Sequence, residues 1–183
     1  MENKQLILHS AMEANILPII SGCDSTCVFC SHRNNPDGIR LVSIPPMPLD
    51  QVRETIRFLN RRQKITIGES ATNIIEGEPL CHPHFREIIG MVRQRFPFTQ
   101  VSITTNGHRL DEDTVEFLKM SEPVEISISL NSATTKGRAV LMGDSPRVAE
   151  QTLEGVKLLN QYKIEFHGSI VAMPHLVGWN DIE

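Results

Sequence analysis

Cys23, Cys27 and Cys30 place three thiols within one short loop, Cys23-Asp24-Ser25-Thr26-Cys27-Val28-Phe29-Cys30, directly after the apolar run Ile16-Leu17-Pro18-Ile19-Ile20. Thiolates at such spacing are soft metal ligands, and three of them leave a four-coordinate site one ligand short. An iron–sulfur cube held by three cysteines has one iron open to another ligand. Structural zinc, the competing reading, wants four protein ligands, and His32 is the nearest candidate for the fourth. Spacing alone suits both metals. A disulfide is the weaker reading: Met1-Glu2-Asn3-Lys4 is followed by no long apolar run, and clustered thiols in a cytosolic chain point to metal binding or catalysis.

The elements that must position these thiols belong to a chain of 183 residues, 40% hydrophobic and 22% charged, with a formal net charge of −4. That length suits one domain with a real core. We take residues 1–15 as a lead-in and residues 16–183 as the core domain, incomplete at its C-terminus. Slight acidity argues against a nucleic-acid coat, and the apolar stretches are too short to cross a bilayer. A cytoplasmic location is expected. The basic stretch Arg53, Arg57, Arg61, Arg62 and Lys64 reads as a solvated helix face.

The chain alternates between two kinds of segment. Ser43-Ile44-Pro45-Pro46-Met47-Pro48 reads as a connection, because its prolines lack donors. Leu49, Val52, Ile56 and Leu59 recur at helical spacing, to about Asn60. The next strand is expected over Thr72-Asn73-Ile74-Ile75-Glu76, and a helix over Phe85 to Phe96, stopped by Pro97. A strand from Gln100 to Thr105 ends at the turn pair Asn106-Gly107. Asp111-Glu112-Asp113 loads an acidic first turn onto a helix carrying Val115 and Leu118. Val124 to Leu130 is a strand, Pro146 to Tyr162 a helix, and Ile164 to Ala172 the last strand. A further helix is expected to begin at Asp181-Ile182-Glu183.

Five strands alternating with four complete helices imply a parallel sheet, either doubly wound or part of a barrel. Side-chain alternation favours the barrel. Ile126, Ile128 and Leu130 oppose Glu125, Ser127, Ser129 and Asn131, and the strands at 101–105 and 164–170 show the same division. A strand covered by helices on both faces reads as nearly continuous apolar sequence. Here the polar faces suit a wet or ligand-filled interior. In such barrels the site lies at the C-terminal ends of the strands, and that is where the cysteine loop, Gly77-Glu78-Pro79, Thr104-Thr105-Asn106-Gly107, Ser129-Leu130-Asn131 and Ala172-Met173-Pro174 fall.

These motifs together resemble the radical S-adenosylmethionine (radical SAM) enzymes. The likeness is carried by Cys-x-x-x-Cys-x-aromatic-Cys at 23–30, with Phe29 in the aromatic slot, and by Gly-Glu-Pro at 77–79. Thr-Thr-Asn-Gly at 104–107 and the serine-rich strand at 124–131 look like the family's next two signature regions. The resemblance implies an α/β fold, a partial TIM-like (β/α) barrel with parallel strands, about five of the six β/α units of the family core. It implies that Cys23, Cys27 and Cys30 each bind one iron of a 4Fe-4S cluster, and that S-adenosylmethionine chelates the fourth. Reductive cleavage of the cofactor then gives a 5′-deoxyadenosyl radical that takes a hydrogen atom from an unknown substrate. By the same similarity Gly77, Glu78 and Pro79 hold the methionine amino group, Phe29 lies near adenine, Asn106 contributes to the cofactor site, Ser127, Ser129 and Asn131 meet the ribose, and Arg138 pairs with the methionine carboxylate. An electron donor such as flavodoxin or ferredoxin is the implied partner.

Cys81, His82, His84 and His167 stay outside this set. Cys81 reads as a free, partly buried thiol, and His167 as a residue of the polar interior face. The family core usually has six strand–helix units, so five imply either a piece of a longer protein or an open barrel edge covered by a partner. The competing function is a non-catalytic module stabilised by zinc or an iron–sulfur cluster, or an inactive fragment that keeps only the cofactor site.

Overall fold

The computed structural model of the protein describes residues 3–181. Four strands form one sheet: β1 (Ile65–Ile67), β2 (Val101–Thr105), β3 (Val124–Ser129) and β4 (Glu165–Ser169). They lie in chain order and every pair is parallel. The helices are α1 (Asn3–Ala14), α2 (Ser31–Asn34), α3 (Leu49–Ile56), α4 (Phe85–Arg95), α5 (Glu112–Met120), α6 (Thr135–Met142), α7 (Pro146–Gln161) and α8 (Pro174–Val177), with short 3-10 turns at Pro79–Cys81 and Trp179–Asp181. Among the described residues no helix is long and apolar enough to cross a membrane.

Alternation in the strands sets the layers. Ile65, Ile67, Val101, Ile103, Ile126 and Ile128 are completely buried and share one core with Ile88, Ile89 and Val92 of α4, Val115 and Leu118 of α5 and Leu159 of α7. Each such side chain stabilises the fold by about 1.5–3 kcal/mol. A slip of one residue would turn the whole row away from the helices, so the register is firmly held. The opposite face carries Ser102 and Thr104 of β2, Ser127 and Ser129 of β3, and His167 and Ser169 of β4; Thr104, Ser127 and His167 stand side by side. This is the α/β, partial-barrel architecture expected from sequence.

Helix ends follow from local chemistry. Asp111 caps α5 by accepting from the Thr114 N–H at 2.8 Å, and Thr134 caps α6 by accepting from Gly137 at 2.9 Å. Ser145 with Pro146 starts α7.

Several elements differ from expectation. The second strand lies at 65–67 rather than 72–76. Thr66 there receives the Leu17 N–H at 2.9 Å, whereas the loop after Gly68 returns only one bridge, Val42 to Ile74. The apolar run at 16–20 occupies a strand's place but pairs with β1 through the bridge Ile16 to Thr66; further along, the Ile19 and Ile20 carbonyls accept from the Met47 and Gly77 N–H groups instead. Residues of the lead-in form α1, which adds Leu6, Ile7 and Ala11 to the common core. The unexpected helix α6 lies between β3 and α7, and the last strand is shorter than 164–172. The helix expected from Asp181 lies outside the described residues beyond the turn at Trp179–Asp181.

Candidate cofactor site

The cysteine loop is fixed from below by α6. Its Thr26 and Val28 N–H groups donate to the Met142 and Leu141 carbonyls at 3.1 and 2.9 Å, so the end of α6 is satisfied by the loop rather than by water. Gly143 then turns left-handed at φ 71°, and a Cβ there would sit 1.9 Å from the Thr26 hydroxyl. Only glycine meets both demands. Ser25 donates to the Met142 carbonyl at 3.0 Å and lies 3.0 Å from the Cys27 sulfur, while the Cys27 thiol reaches the Met142 thioether at 3.5 Å.

Gly77 holds the second wall. Its N–H donates to the Ile20 carbonyl at 2.9 Å and that of Glu78 to the Gly22 carbonyl at 2.8 Å. A Cβ on Gly77 would come within 2.1 Å of the Gly22 oxygen and 2.5 Å of the Ser21 carbonyl carbon. The close approach that requires glycine is therefore to the backbone feeding the cysteine loop. Gly77→Ala is expected to cost about 2 kcal/mol or more, since backbone on both sides must shift. Urea unfolding of the metal-free protein reads that loss; an unchanged midpoint would refute the tight packing at this position.

Glu78 is buried and ties the motif to the end of β2. Its carboxylate accepts from the Leu80 N–H at 3.1 Å, the Thr105 hydroxyl at 2.7 Å and the Asn106 N–H at 2.6 Å. Burial nevertheless outweighs these donors and pushes its pKa up to about 7.

A cleft of about 420 Å³ opens at the C-terminal ends of the strands. Cys23, Cys27, Cys30, Phe29, Gly77, Glu78, Asn106, Ser129 and Asn131 all line it, nine residues that the motifs picked out. Three of the expected residues do not. Pro79 is buried beside Gly68. Ser127 is buried on the polar face, away from the cleft wall. Arg138 is completely buried: its Nε donates to Asp144 at 2.8 Å, one terminal nitrogen to the Leu130 carbonyl at 2.7 Å, and the other to the Asn106 carbonyl at 3.1 Å. Enclosed in this way, the Arg138 guanidinium does not reach the cleft wall, where the expected pairing with a methionine carboxylate would have to form.

Two of the other polar residues are also engaged within the protein. Asn131 donates to the Met142 thioether and accepts from the Val171 N–H, so both ends of its amide are engaged within the protein. Asn106 donates to Asp24 at 2.8 Å and accepts from the His108 N–H at 2.9 Å. Ser129 is half-buried on the cleft wall and is the better placed of the serines for a hydroxyl contact.

Arg138 belongs to a chain of charges that sequence reasoning missed. Asp144 links it to His108, whose Nε2 lies 2.8 Å from Asp144 and whose Nδ1 lies 3.3 Å from Asp24; Arg109 donates to the other oxygen of Asp24 at 3.1 Å. Burial alone would lower the His108 pKa, but the two carboxylates outweigh it and raise it to about 9. The hydrogen bond from His108 is the main reason that Asp24 stays well below the usual carboxylate range. Asp24 adjoins Cys23, so this chain of charges braces the loop that carries the thiols.

The thiols suit a cluster. Burial raises the Cys27 pKa, so a bound metal, rather than the protein's own charges, must draw off its proton. Among the described residues no three Cys, His, Asp or Glu side chains are gathered as one ion requires. A cube in which each thiolate takes a different iron needs only three thiols around one cleft. Cys81 does not line that cleft. Its thiol faces Asp24 and Arg109, and burial together with the Asp24 charge pushes its pKa up to about 11. His82 bonds to the Met47 carbonyl at 3.1 Å, and His167 lies 3.2 Å from Glu125 on the polar face.

Known proteins match this arrangement. A family model described as the Radical SAM superfamily matches residues 17–181. A GTP 3′,8-cyclase of Klebsiella pneumoniae (strain 342) is 27% identical over 143 residues, which is 76% of this chain and 40% of the cyclase. The structure of native anSMEcpe with bound AdoMet aligns with a TM-score of 0.60 at 18% identity, over 84% of this chain and 42% of that one. Streptococcus suis SuiB bound to S-adenosylmethionine aligns with a TM-score of 0.60 at 16% identity, over 91% of this chain and 34% of that one. Those two likenesses are in fold. The chain spans less than half the length of each of these proteins.

Proposed function

The chain belongs to the Radical SAM superfamily, and on that premise we propose that its cleft holds a 4Fe-4S cluster on Cys23, Cys27 and Cys30 with S-adenosylmethionine beside it. Together they supply one-electron cleavage of the sulfonium carbon–sulfur bond and abstraction of a hydrogen atom from a substrate. The observation that carries the reading is the meeting of the three thiols with the Gly77-Glu78 and Thr105-Asn106 segments on one cleft at the strand ends.

The chain's own residues position and shield. Ser25, its proton on the Met142 carbonyl, sits against the Cys27 sulfur and holds that thiol beside the end of α6. Glu78 locks the end of β2 against the Gly-Glu-Pro element, so both walls move as one. Phe29 offers an apolar surface at the cleft for a flat ring, and Ser129 a hydroxyl. The polar row of β3 and β4 leads away from the cleft and suits a polar substrate or ordered water.

Enzymes of this family use a reductant and a substrate. The electron donor is a small redox protein such as flavodoxin or ferredoxin. At the far side β4 pairs, among the described residues, only with β3, and Ile170, Val171, Leu176 and Trp179 are exposed nearby. That surface suits a covering element, either further polypeptide or a partner.

Anaerobic reconstitution with iron and sulfide, followed by S-adenosylmethionine and dithionite, tests the reading. The expected product is 5′-deoxyadenosine, dependent on all three cysteines. A protein that loads a cluster and releases none would overturn the catalytic reading in favour of a non-catalytic metal-stabilised module.

A further inference from the structure

The loop that carries the thiols has two sides. One faces the cleft that the cofactor is expected to fill. The other runs along the end of α6, where the Thr26 and Val28 N–H groups meet the Met142 and Leu141 carbonyls. Val28, which follows Cys27, is 46% exposed, and Val140, next to Leu141 in α6, is 40% exposed. These two valines flank a fixed backbone contact and belong to no part of the common core. They make a small apolar patch on the outer side of the thiol loop.

Cations rim the patch. Lys136 lies one turn before Val140 on the same stripe of α6. Arg33 reaches across the loop toward the Ser25 carbonyl at 3.4 Å, and Arg147 stands in the first turn of α7, four residues past the Gly143 that packs on Thr26. All three are exposed, and among the described residues none pairs with a carboxylate. Apart from the buried Arg138–Asp144 pair, segments 25–43 and 131–147 hold Arg33, Arg40, Lys136 and Arg147 against the single carboxylate Asp37. A chain of formal net charge −4 therefore turns a positive face outward beside its thiols.

An apolar centre with a charged rim is the anatomy of a protein-docking surface, and electron-transfer partners meet over small areas. Electron transfer weakens steeply with distance, and a cofactor in the cleft closes the inner approach. The outer side of the loop is then the short route. We infer that Val28 and Val140, rimmed by Arg33, Lys136 and Arg147, form the docking surface for an acidic redox protein that reduces the cluster. The inference rests on the functional reading above. With a flavin carrier, the anionic hydroquinone gives up one electron and becomes the neutral semiquinone, the cluster takes that electron up, and no proton moves. The positive rim steers the encounter.

Lys136→Glu combined with Arg147→Glu tests the surface. Both positions fall in the first turn of a helix, where an acidic side chain suits the helix dipole, so the fold is retained, and neither residue lines the cleft. Stopped-flow absorbance follows bleaching of the reconstituted cluster by photoreduced flavodoxin at low and high salt, with dithionite as a reductant that needs no docking surface. At low salt flavodoxin should reduce the double variant about tenfold or more slowly than wild type, with the gap closing as salt is added, while the dithionite rate stays near that of wild type. A charge-matched control, Arg61→Glu with Arg62→Glu, alters exposed residues just before β1, at the opposite end of the strands, and should keep the wild-type rate. An equal loss in the control overturns the surface, because net charge alone would then explain it. A double variant with the wild-type flavodoxin rate also overturns it. Wild type reduced by dithionite but not by flavodoxin overturns the docking inference and leaves the functional reading standing; a cluster that neither reductant reduces overturns both.

Discussion

Alanine at Cys23, Cys27 or Cys30 is expected to abolish the broad visible absorption of the reconstituted cluster, whereas alanine at Cys81 leaves it intact. Three thiols line the cleft and the fourth does not. The loop cannot slide to recruit Cys81, because Thr26 and Val28 are pinned to the end of α6 and Gly143 fits against Thr26 without room for a side chain. A cube left with two thiolates has two irons without protein ligands and is lost on handling or exposure to oxygen. The effect on the metal-free fold should be small, within about 1 kcal/mol, since Cys23 is exposed and Cys27 and Cys30 are half-buried. Absorbance with iron counting, set beside urea unfolding of the apoprotein, separates loss of ligand from loss of fold. Disappearance of the cluster in Cys81→Ala would show that the ligand set is wrong.

Arg138→Met should destabilise the protein by about 3–5 kcal/mol, the usual result of removing one partner from a buried ion pair. The Asp144 carboxylate and the Leu130 and Asn106 carbonyls would all lose a donor in a place that water does not reach. Because Asp144 also holds His108, and His108 holds Asp24, the disturbance should extend to the cysteine loop and lower cluster occupancy. Urea unfolding gives the first effect and iron content the second; a loss below about 1 kcal/mol would mean that the pair is not the brace described. The same chain of charges has a pH signature. The folded-state pKa of His108 is raised from 6.5 to about 9, so its stabilisation is complete below the lower value and is lost as pH rises through the upper one. Apoprotein stability should fall between neutral and alkaline pH, and His108→Gln should flatten that part of the profile.

The contrast between Arg138 and Cys23 explains how much the sequence could reveal. Metal-ligand spacing is local, so the three thiols and the Gly-Glu-Pro element were legible along the chain, and period-two alternation separated the polar from the apolar face of β2 and β3. What failed was pairing at a distance. Nothing near Arg138 in sequence says that its guanidinium meets the Asn106 carbonyl or that Asp144 bridges it to His108. The strand at 65–67 was missed for a related reason: both isoleucine pairs, 65 with 67 and 74 with 75, carry strand propensity, and the distant pairing of 65–67 with 101–103 decides between them. Helix α6 is short and contains Gly137, which weakens its pattern.

S-adenosylmethionine should dock on a cluster held by these three cysteines alone. Electron paramagnetic resonance of the reduced, reconstituted protein tests it most directly, recorded before and after S-adenosylmethionine is added. A 4Fe-4S signal that shifts on addition, and returns when the ligand is removed, is the predicted result; a cluster signal unmoved by saturating S-adenosylmethionine would contradict it.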